Sequence, residues 1–398
     1  MVYKIFMVII MNTKELMEAE DKYFVNTFTR QPIILDHGDG LKVWDTEGNE
    51  YLDFFAGIAV NCLGHKNPKL ILEITKQAEK LIHISNIYYN EPAIEFAEKL
   101  VNKTCLDKIF YTNSGAESNE GAIKLALKYT GKSEIISTSN SFHGRTLLTV
   151  TATGQEKYKE PYAKNLPQGI IEVPYNDIDA IKEAVSDETA AIIVEPIQGE
   201  GGVNIPDDDY LPEIEKLCKE KGIVFILDEV QTGFGRCGPL FAHEIFGVKP
   251  DIMSVAKGIG GGVPMGAFLA IEEVSTGFVP GDHGTTFGGG PLVCAAANAT
   301  FDIIMDEDLL KNSIDMGTYL LIKLVELMDN HEVIKEVRGA GLLVGMELNK
   351  DGGEYVDLMR EKGFLINCTA GNVLRFAPPL IVSKEEIDLL VPALDEVL

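Results

Sequence analysis

Residues 223–272 read IVFILDEVQTGFGRCGPLFAHEIFGVKPDIMSVAKGIGGGVPMGAFLAIE, and three short apolar runs within them decide the fold class. IVFILDE (223–229), DIMSVA (251–256) and GAFLAIE (266–272) are rich in aliphatic and β-branched residues and are bounded by glycine, proline or an acid. Continuous apolar runs of this length suit strands buried on both faces, the situation of parallel sheets covered by helices. Working outward, KIFYT (108–112), EIISTS (134–139) and AAIIVEP (190–196) repeat the pattern. Between the first two lies GAESNEGAIKLALKYTG (115–131), where Ala122, Ile123, Leu125, Ala126 and Tyr129 supply one apolar face between a glycine start and a glycine stop. Such a segment predicts a crossover helix. The expected fold is therefore α/β, a mostly parallel sheet flanked by helices. From about Leu292 a long helical stretch gives way to short strands, IKEVRG, GLLVGMEL, FLIN and VLRFAP, which predict a smaller α+β domain.

The remaining bulk properties narrow the function. A chain of 398 residues exceeds what one hydrophobic core usually serves. The formal net charge of -26 repels phosphate backbones and anionic lipid, so neither nucleic acid nor membrane is an expected partner. A small anionic substrate would need a few well-placed arginines to offset that field. The six cysteines lie far apart without a CxxC pair, as expected of reduced cytoplasmic thiols. The opening MVYKIFMVII is apolar but too short to span a bilayer, and residues 1–11 are expected to be an N-terminal extension.

Open parallel sheets take their ligands beyond the carboxyl ends of their strands. After KIFYT comes a turn with Ser114, Gly115 and Ala116 at a helix start, where small residues and free N–H groups suit a phosphate. Asp228 ends IVFILDE, and Lys257 ends the next strand beside a glycine cluster. A half-buried ammonium there favours the neutral amine that a Schiff base requires. An anion nest, a carboxylate and an amine at one sheet edge are what pyridoxal 5'-phosphate needs for its phosphate, its ring nitrogen and its aldehyde. Phe142, in NSFHGRT, supplies a ring-flanking aromatic.

Three rival chemistries are weaker. Gly233, Gly235 and Gly238 formally spell GxGxxG, but PLFAHEIFG gives no helix opened by the third glycine, as a dinucleotide turn requires. His243-Glu244 and His331-Glu332 lack the second histidine of a zinc helix, so no metal site is expected. Ser114 lacks the leading glycine of a nucleophile elbow.

Beyond these residues the chain resembles the class III, or ornithine-type, aminotransferases among the fold-type I pyridoxal-phosphate enzymes. The resemblance runs through VWDTEGNEYLDFFAGIAVNCLGH, FYTNSGAESNEGAIKLA, SFHGRT, VEPIQGEGGV, ILDEVQTGFGRCG, SVAKGIGGGVPMGA, HGTTFGGGPLVCAAA and LRFAPPL, nearly the whole chain. It implies a smaller domain from residues 12–50 and 296–398 around a cofactor domain at 51–295. It implies Lys257 as cofactor anchor and proton shuttle, Asp228 on the ring nitrogen, Gln231 on the ring hydroxyl, and Val230 opposite Phe142. Gly115 and Ala116 match the phosphate turn, and Thr286 matches a threonine reaching the phosphate of a neighbouring subunit, hence a homodimer with shared sites. Arg145, helped by Thr285, matches a carboxylate holder, while Glu200 and Arg375 match a pair that closes and opens as substrates alternate.

Within the family, GIAVN (57–61) resembles the acetylornithine branch, and Phe28 stands where the ornithine branch carries a tyrosine. The substrates so implied are N2-acetyl-L-ornithine and 2-oxoglutarate, with glutamate as product, in arginine biosynthesis. N-succinyl-diaminopimelate, succinylornithine, 4-aminobutyrate and a lysine linked to a carrier protein differ from this donor only in the pocket lining they would need. Gly290 departs from the asparagine expected in this block.

Overall fold

The computed structural model describes residues 12–398, so the extension expected at 1–11 lies outside the described residues. Near the N-terminus β1 (Leu35–Asp39), β2 (Lys42–Asp45) and β3 (Glu50–Asp53) form an antiparallel meander. The central sheet comprises β4 (Lys108–Thr112), β5 (Glu134–Thr138), β6 (Ile170–Val173), β7 (Thr189–Val194), β8 (Val224–Asp228), β9 (Ile252–Val255) and β10 (Gly266–Ala270). Its spatial order is β4-β10-β9-β8-β7-β5-β6. Toward the C-terminus follow β11 (Ile334–Ala340), β12 (Leu343–Leu348), β13 (Phe364–Leu365), β14 (Asn367–Thr369) and β15 (Val373–Phe376). β13 pairs in parallel with β3, tying the C-terminal part of the chain to the N-terminal meander, and the other four make a sheet in the order β11-β12-β15-β14.

All six strands expected for the central sheet form, with the edge strand β6 in addition. The sheet is parallel except at β10, which runs antiparallel to both β4 and β9. Its direction follows from its connection: residues 256–265 are too few for a crossover helix, so the chain must return beside the strand it left. β7 and β8 are buried along their whole length, as their unbroken apolar runs require. The helix Gly115–Thr130 covers one face with Ala122, Ile123, Leu125 and Ala126, and Gly131 ends it in the left-handed conformation at φ +69°. Helix and strands together bring the chain segments after β4, β5, β8 and β9 to one edge.

Candidate active site

That edge encloses a cavity of about 390 Å³, a size suited to a small cofactor and substrate. Ten of the residues singled out from the sequence line it: Ser114, Gly115, Ala116, Phe142, Arg145, Glu200, Asp228, Val230, Gln231 and Lys257. Asp228 ends β8 with only 2% of its surface exposed. Its Oδ2 accepts from Asn119 Nδ2 at 2.7 Å and meets His143 Nδ1 at 2.7 Å, while Val230 N–H donates to Oδ1 at 3.0 Å. An ionised Asp228 accepts in both Oδ2 contacts, which puts the His143 proton on Nδ1 and leaves Nε2 without a partner. Glu195, just after β7, also keeps a buried, unpartnered oxygen, and single ligand atoms of His143, Glu195 and Asp228 lie within 4.8 Å of one another. Burial pushes the Glu195 carboxyl well above the usual range, and the Asp228 charge adds to the shift.

Lys257 follows β9 at φ +48°, a left-handed conformation costly for a residue with a side chain and found mostly where function holds it. Its amine is enclosed by protein but borders the cavity. Burial lowers its pKa to about 8; Glu200 pulls upward and Arg375 pushes further down. A lysine so placed is neutral in an appreciable fraction near neutral pH, the state that attacks a carbonyl.

The end of the cavity at Ser114, Gly115 and Ala116 offers main chain to a ligand. Ser114 caps the helix Gly115–Thr130 through its Oγ, which accepts from Glu117 N–H at 3.2 Å, and the first residues of the helix, whose N–H groups have no partner within the helix, line the cavity. Gly115 is required by contact: a Cβ there would lie 2.7 Å from Val230 Cγ1. These groups fit pyridoxal phosphate, with an N–H nest for the phosphate, a fixed carboxylate for the ring nitrogen and a neutral amine for the aldehyde.

Two arginines stand in opposite states. Arg375, on β15, is 1% exposed; its Nη1 donates to Glu200 Oε1 at 2.7 Å and to Gln231 Oε1 at 2.9 Å, and its Nε donates to Asn367 at 3.2 Å. Burial works against the Glu200 carboxylate, but Arg375 and then Lys257 outweigh it and hold its pKa at about 2. Arg145 is exposed at the cavity mouth, has no acidic partner among the described residues, and lies over the Tyr158 ring at 3.8 Å from its centroid.

Four expected site residues do not line this cavity: Arg375, bonded to the lining residues Glu200 and Gln231, and Thr285, Thr286 and Phe28. Thr285 and Thr286 border a separate recess with Asn113 and Glu117; Thr285 Oγ1 accepts from Asn113 Nδ2 at 3.1 Å, and Thr286 is exposed. Phe28 is 70% exposed, in a groove between the helix Thr13–Tyr23 and residues 31–34, stacked with Arg30. Its segment forms no strand that would draw it to the sheet edge. Conversely, Asn119, His143, Glu195 and Tyr158 were not anticipated, while Val60 belongs to the GIAVN stretch singled out above. Val60 follows a left-handed turn in which Ala56, Gly57, Ile58 and Ala59 have φ of +48°, +61°, +65° and +60°.

The chain belongs to the aminotransferase class-III family, whose profile matches residues 24–398. The family depends on pyridoxal phosphate, so the protein is a pyridoxal-phosphate-dependent aminotransferase. It is 54% identical over 388 residues to acetylornithine aminotransferase of Methanothermobacter thermautotrophicus, covering 98% of this chain and 99% of that protein. It is 52% identical over 395 residues to acetylornithine aminotransferase of Methanocaldococcus jannaschii, covering 97% and 98%. Among solved structures, ornithine aminotransferase of Toxoplasma gondii superposes with a TM-score of 0.93 at 32% identity, covering 97% of this chain and 94% of that one.

Proposed function

We propose that this chain transfers the δ-amino group of N2-acetyl-L-ornithine to 2-oxoglutarate, giving N-acetyl-L-glutamate 5-semialdehyde and glutamate, a step of arginine biosynthesis. The observation that carries the proposal is the contrast between a free Arg145 that lines the cavity and an Arg375 kept off its wall by a lining residue, Glu200. The donor carries a carboxylate far from its reacting δ-carbon and none beside it; 2-oxoglutarate carries one at each end. One free and one releasable arginine suit that alternation.

When bound, pyridoxal phosphate supplies an electron sink conjugated to the carbon that exchanges its amine. Lys257 anchors it and, once released, moves the proton at the reacting carbon as a general base. Asp228, held in position by Asn119 and His143, would keep the ring nitrogen protonated. Gln231 would serve the ring hydroxyl, Val230 and Phe142 would flank the ring, and Ser114, Gly115 and Ala116 would hold the phosphate. Arg145, helped by Thr285, takes the donor's α-carboxylate.

Thr286 is assigned to the phosphate of a second protomer, and Phe28 to substrate binding, where its apolar ring suits an acetylated amine. Large apolar side chains exposed in the isolated chain, Ile87 at 83%, Tyr89 at 95% and Phe287 at 64%, support a homodimer. We assign residues 51–295 to a cofactor domain and 12–50 with 296–398 to the smaller one. A cytoplasmic location suits six free cysteines and the lack, among the described residues, of any helix long and apolar enough to cross a membrane.

The acetyl group matters because it removes a charge. Val60, Val263, Pro264 and Met265 of the cavity wall offer no side-chain acceptor for a free α-ammonium. Leaving that group desolvated costs on the order of a few kcal/mol, enough for at least about a tenfold preference. Donors assayed side by side with subsaturating 2-oxoglutarate test this: kcat/KM for N2-acetylornithine should exceed that for ornithine about tenfold or more. Equal values would move the function to ornithine or a broader range of ω-amines.

A further inference from the structure

The Glu200–Arg375 pair joins two parts of the chain, and the main chain around Glu200 is fastened more tightly than its side chain. Residues 198–204 fold into a turn closed by reciprocal main-chain bonds between Gln198 and Asn204, with Gly202 at φ +117° and Val203 at φ +55°. The sheet that carries Arg375 grips this turn at three points. Thr369 Oγ1, at the end of β14, donates to the carbonyl oxygen of Glu200 itself. Arg338, on β11, donates from Nη2 to Gly202 O at 2.6 Å and from Nε to Val203 O at 3.0 Å. On its other side Arg338 Nη1 is fixed by Glu347 at 2.6 Å and Glu336 at 2.7 Å. Gly345, on β12, packs against Val203 so closely that a Cβ would lie 3.0 Å from Val203 Cβ. The backbone of Glu200 is thereby tied to the sheet that carries Arg375, and the freedom left to the pair is rotation of the Glu200 side chain.

We propose that Arg338 and Thr369 are positioning residues that fix the main chain of Glu200, so that Arg375 is masked and unmasked by side-chain rotation alone. This rests on the reading above, in which Glu200 and Arg375 separate for the dicarboxylate. The two half-reactions depend on the fastening unequally. With N2-acetylornithine bound, the reacting δ-carbon brings no carboxylate, and a displaced Glu200 leaves the Arg375 charge buried and unanswered. 2-Oxoglutarate brings its own carboxylate to Arg375 and needs no help from Glu200. Loosening the turn therefore slows the donor half and spares the acceptor half.

The test is single-turnover kinetics of the holoenzyme, each half followed separately by cofactor absorbance. Thr369→Val and Arg338→Met should lower kcat/KM of the donor half by about five- to tenfold while the acceptor half stays within about twofold. Thr369→Ser, which keeps the hydroxyl, should behave as the unmodified enzyme. Equal losses in both halves, or a Thr369→Ser variant as impaired as Thr369→Val, would overturn the positioning role. Glu200→Gln separates the two levels. If it skews the halves while the Thr369 and Arg338 variants do not, the fastening alone is wrong; if it leaves them balanced, the alternation fails and the fastening with it.

Discussion

Asp228 and Glu229 are successive carboxylates at the end of one strand, both buried, at 2% and 0% exposure, and their surroundings give them opposite tasks. Glu229 turns away from the cavity and is saturated: it accepts from Thr232 Oγ1 at 2.6 Å, from the N–H of Ala242 at 2.8 Å and of His243 at 2.7 Å, and meets His243 Nδ1 at 3.0 Å. Asp228 turns into the cavity, and its donors leave one side open toward the space a cofactor ring would fill. Burial and charge are alike in the two. What separates a functional carboxylate from a structural one here is whether every lone pair already has a donor.

The comparison breaks if activity and stability do not divide along it. The largest expected loss is at the amine: Lys257→Ala should fold, yet lose turnover by at least about ten-thousandfold. Next, Asp228→Asn should lower kcat on the order of a hundredfold or more with little change in Tm, since the ring environment changes and the core does not. Near-normal kcat in that variant would make Asp228 a strand cap.

Glu229→Gln should do the reverse. Steady-state kinetics should change less than about threefold while urea unfolding shows a loss of about 3–5 kcal/mol, the usual cost of stripping one partner from a buried charged pair. The pH dependence sharpens this. Burial disfavours a charged His243, but Cys105 and Glu229 overcome it and raise its pKa to about 10. A raised folded pKa stabilises fully below the unfolded value near 6.5, and that contribution fades as pH climbs through about 10. Stability of the unmodified protein should therefore decline between about pH 6.5 and 10, and Glu229→Gln should flatten that decline. A variant that keeps the full slope would contradict the pairing.

A smaller effect is expected at the amine by pH alone. Capture of pyridoxal phosphate by the apoenzyme should accelerate a few-fold as pH rises through about 8, where Lys257 becomes neutral. A flat stopped-flow profile across that range would place the amine's titration elsewhere.

Much of this was legible in the sequence because strand ends announce themselves. Asp228 and Lys257 each terminate an apolar run, and Ser114-Gly115-Ala116 sits between a strand and a helix. Glu195 ends AAIIVEP in the same manner and was open to the same reading. Asn119 and His143 carried no such signal, since a polar residue inside a helix or loop shows its burial only after folding. The antiparallel β10 was hidden because an apolar run has no direction, although the short link before it fixes one. Phe28 and Thr286 mark the other limit: motif matching assigns them to the site, yet neither enters the cavity of its own chain.

The most direct measurement is borohydride reduction of the holoenzyme followed by peptide mapping. The cofactor should be fixed on the peptide containing Lys257 in near-stoichiometric yield, with loss of the visible absorption band, and pre-incubation with N2-acetylornithine should protect that lysine from labelling. Label on any other lysine, or a protein that binds the cofactor without a reducible link, would contradict the account.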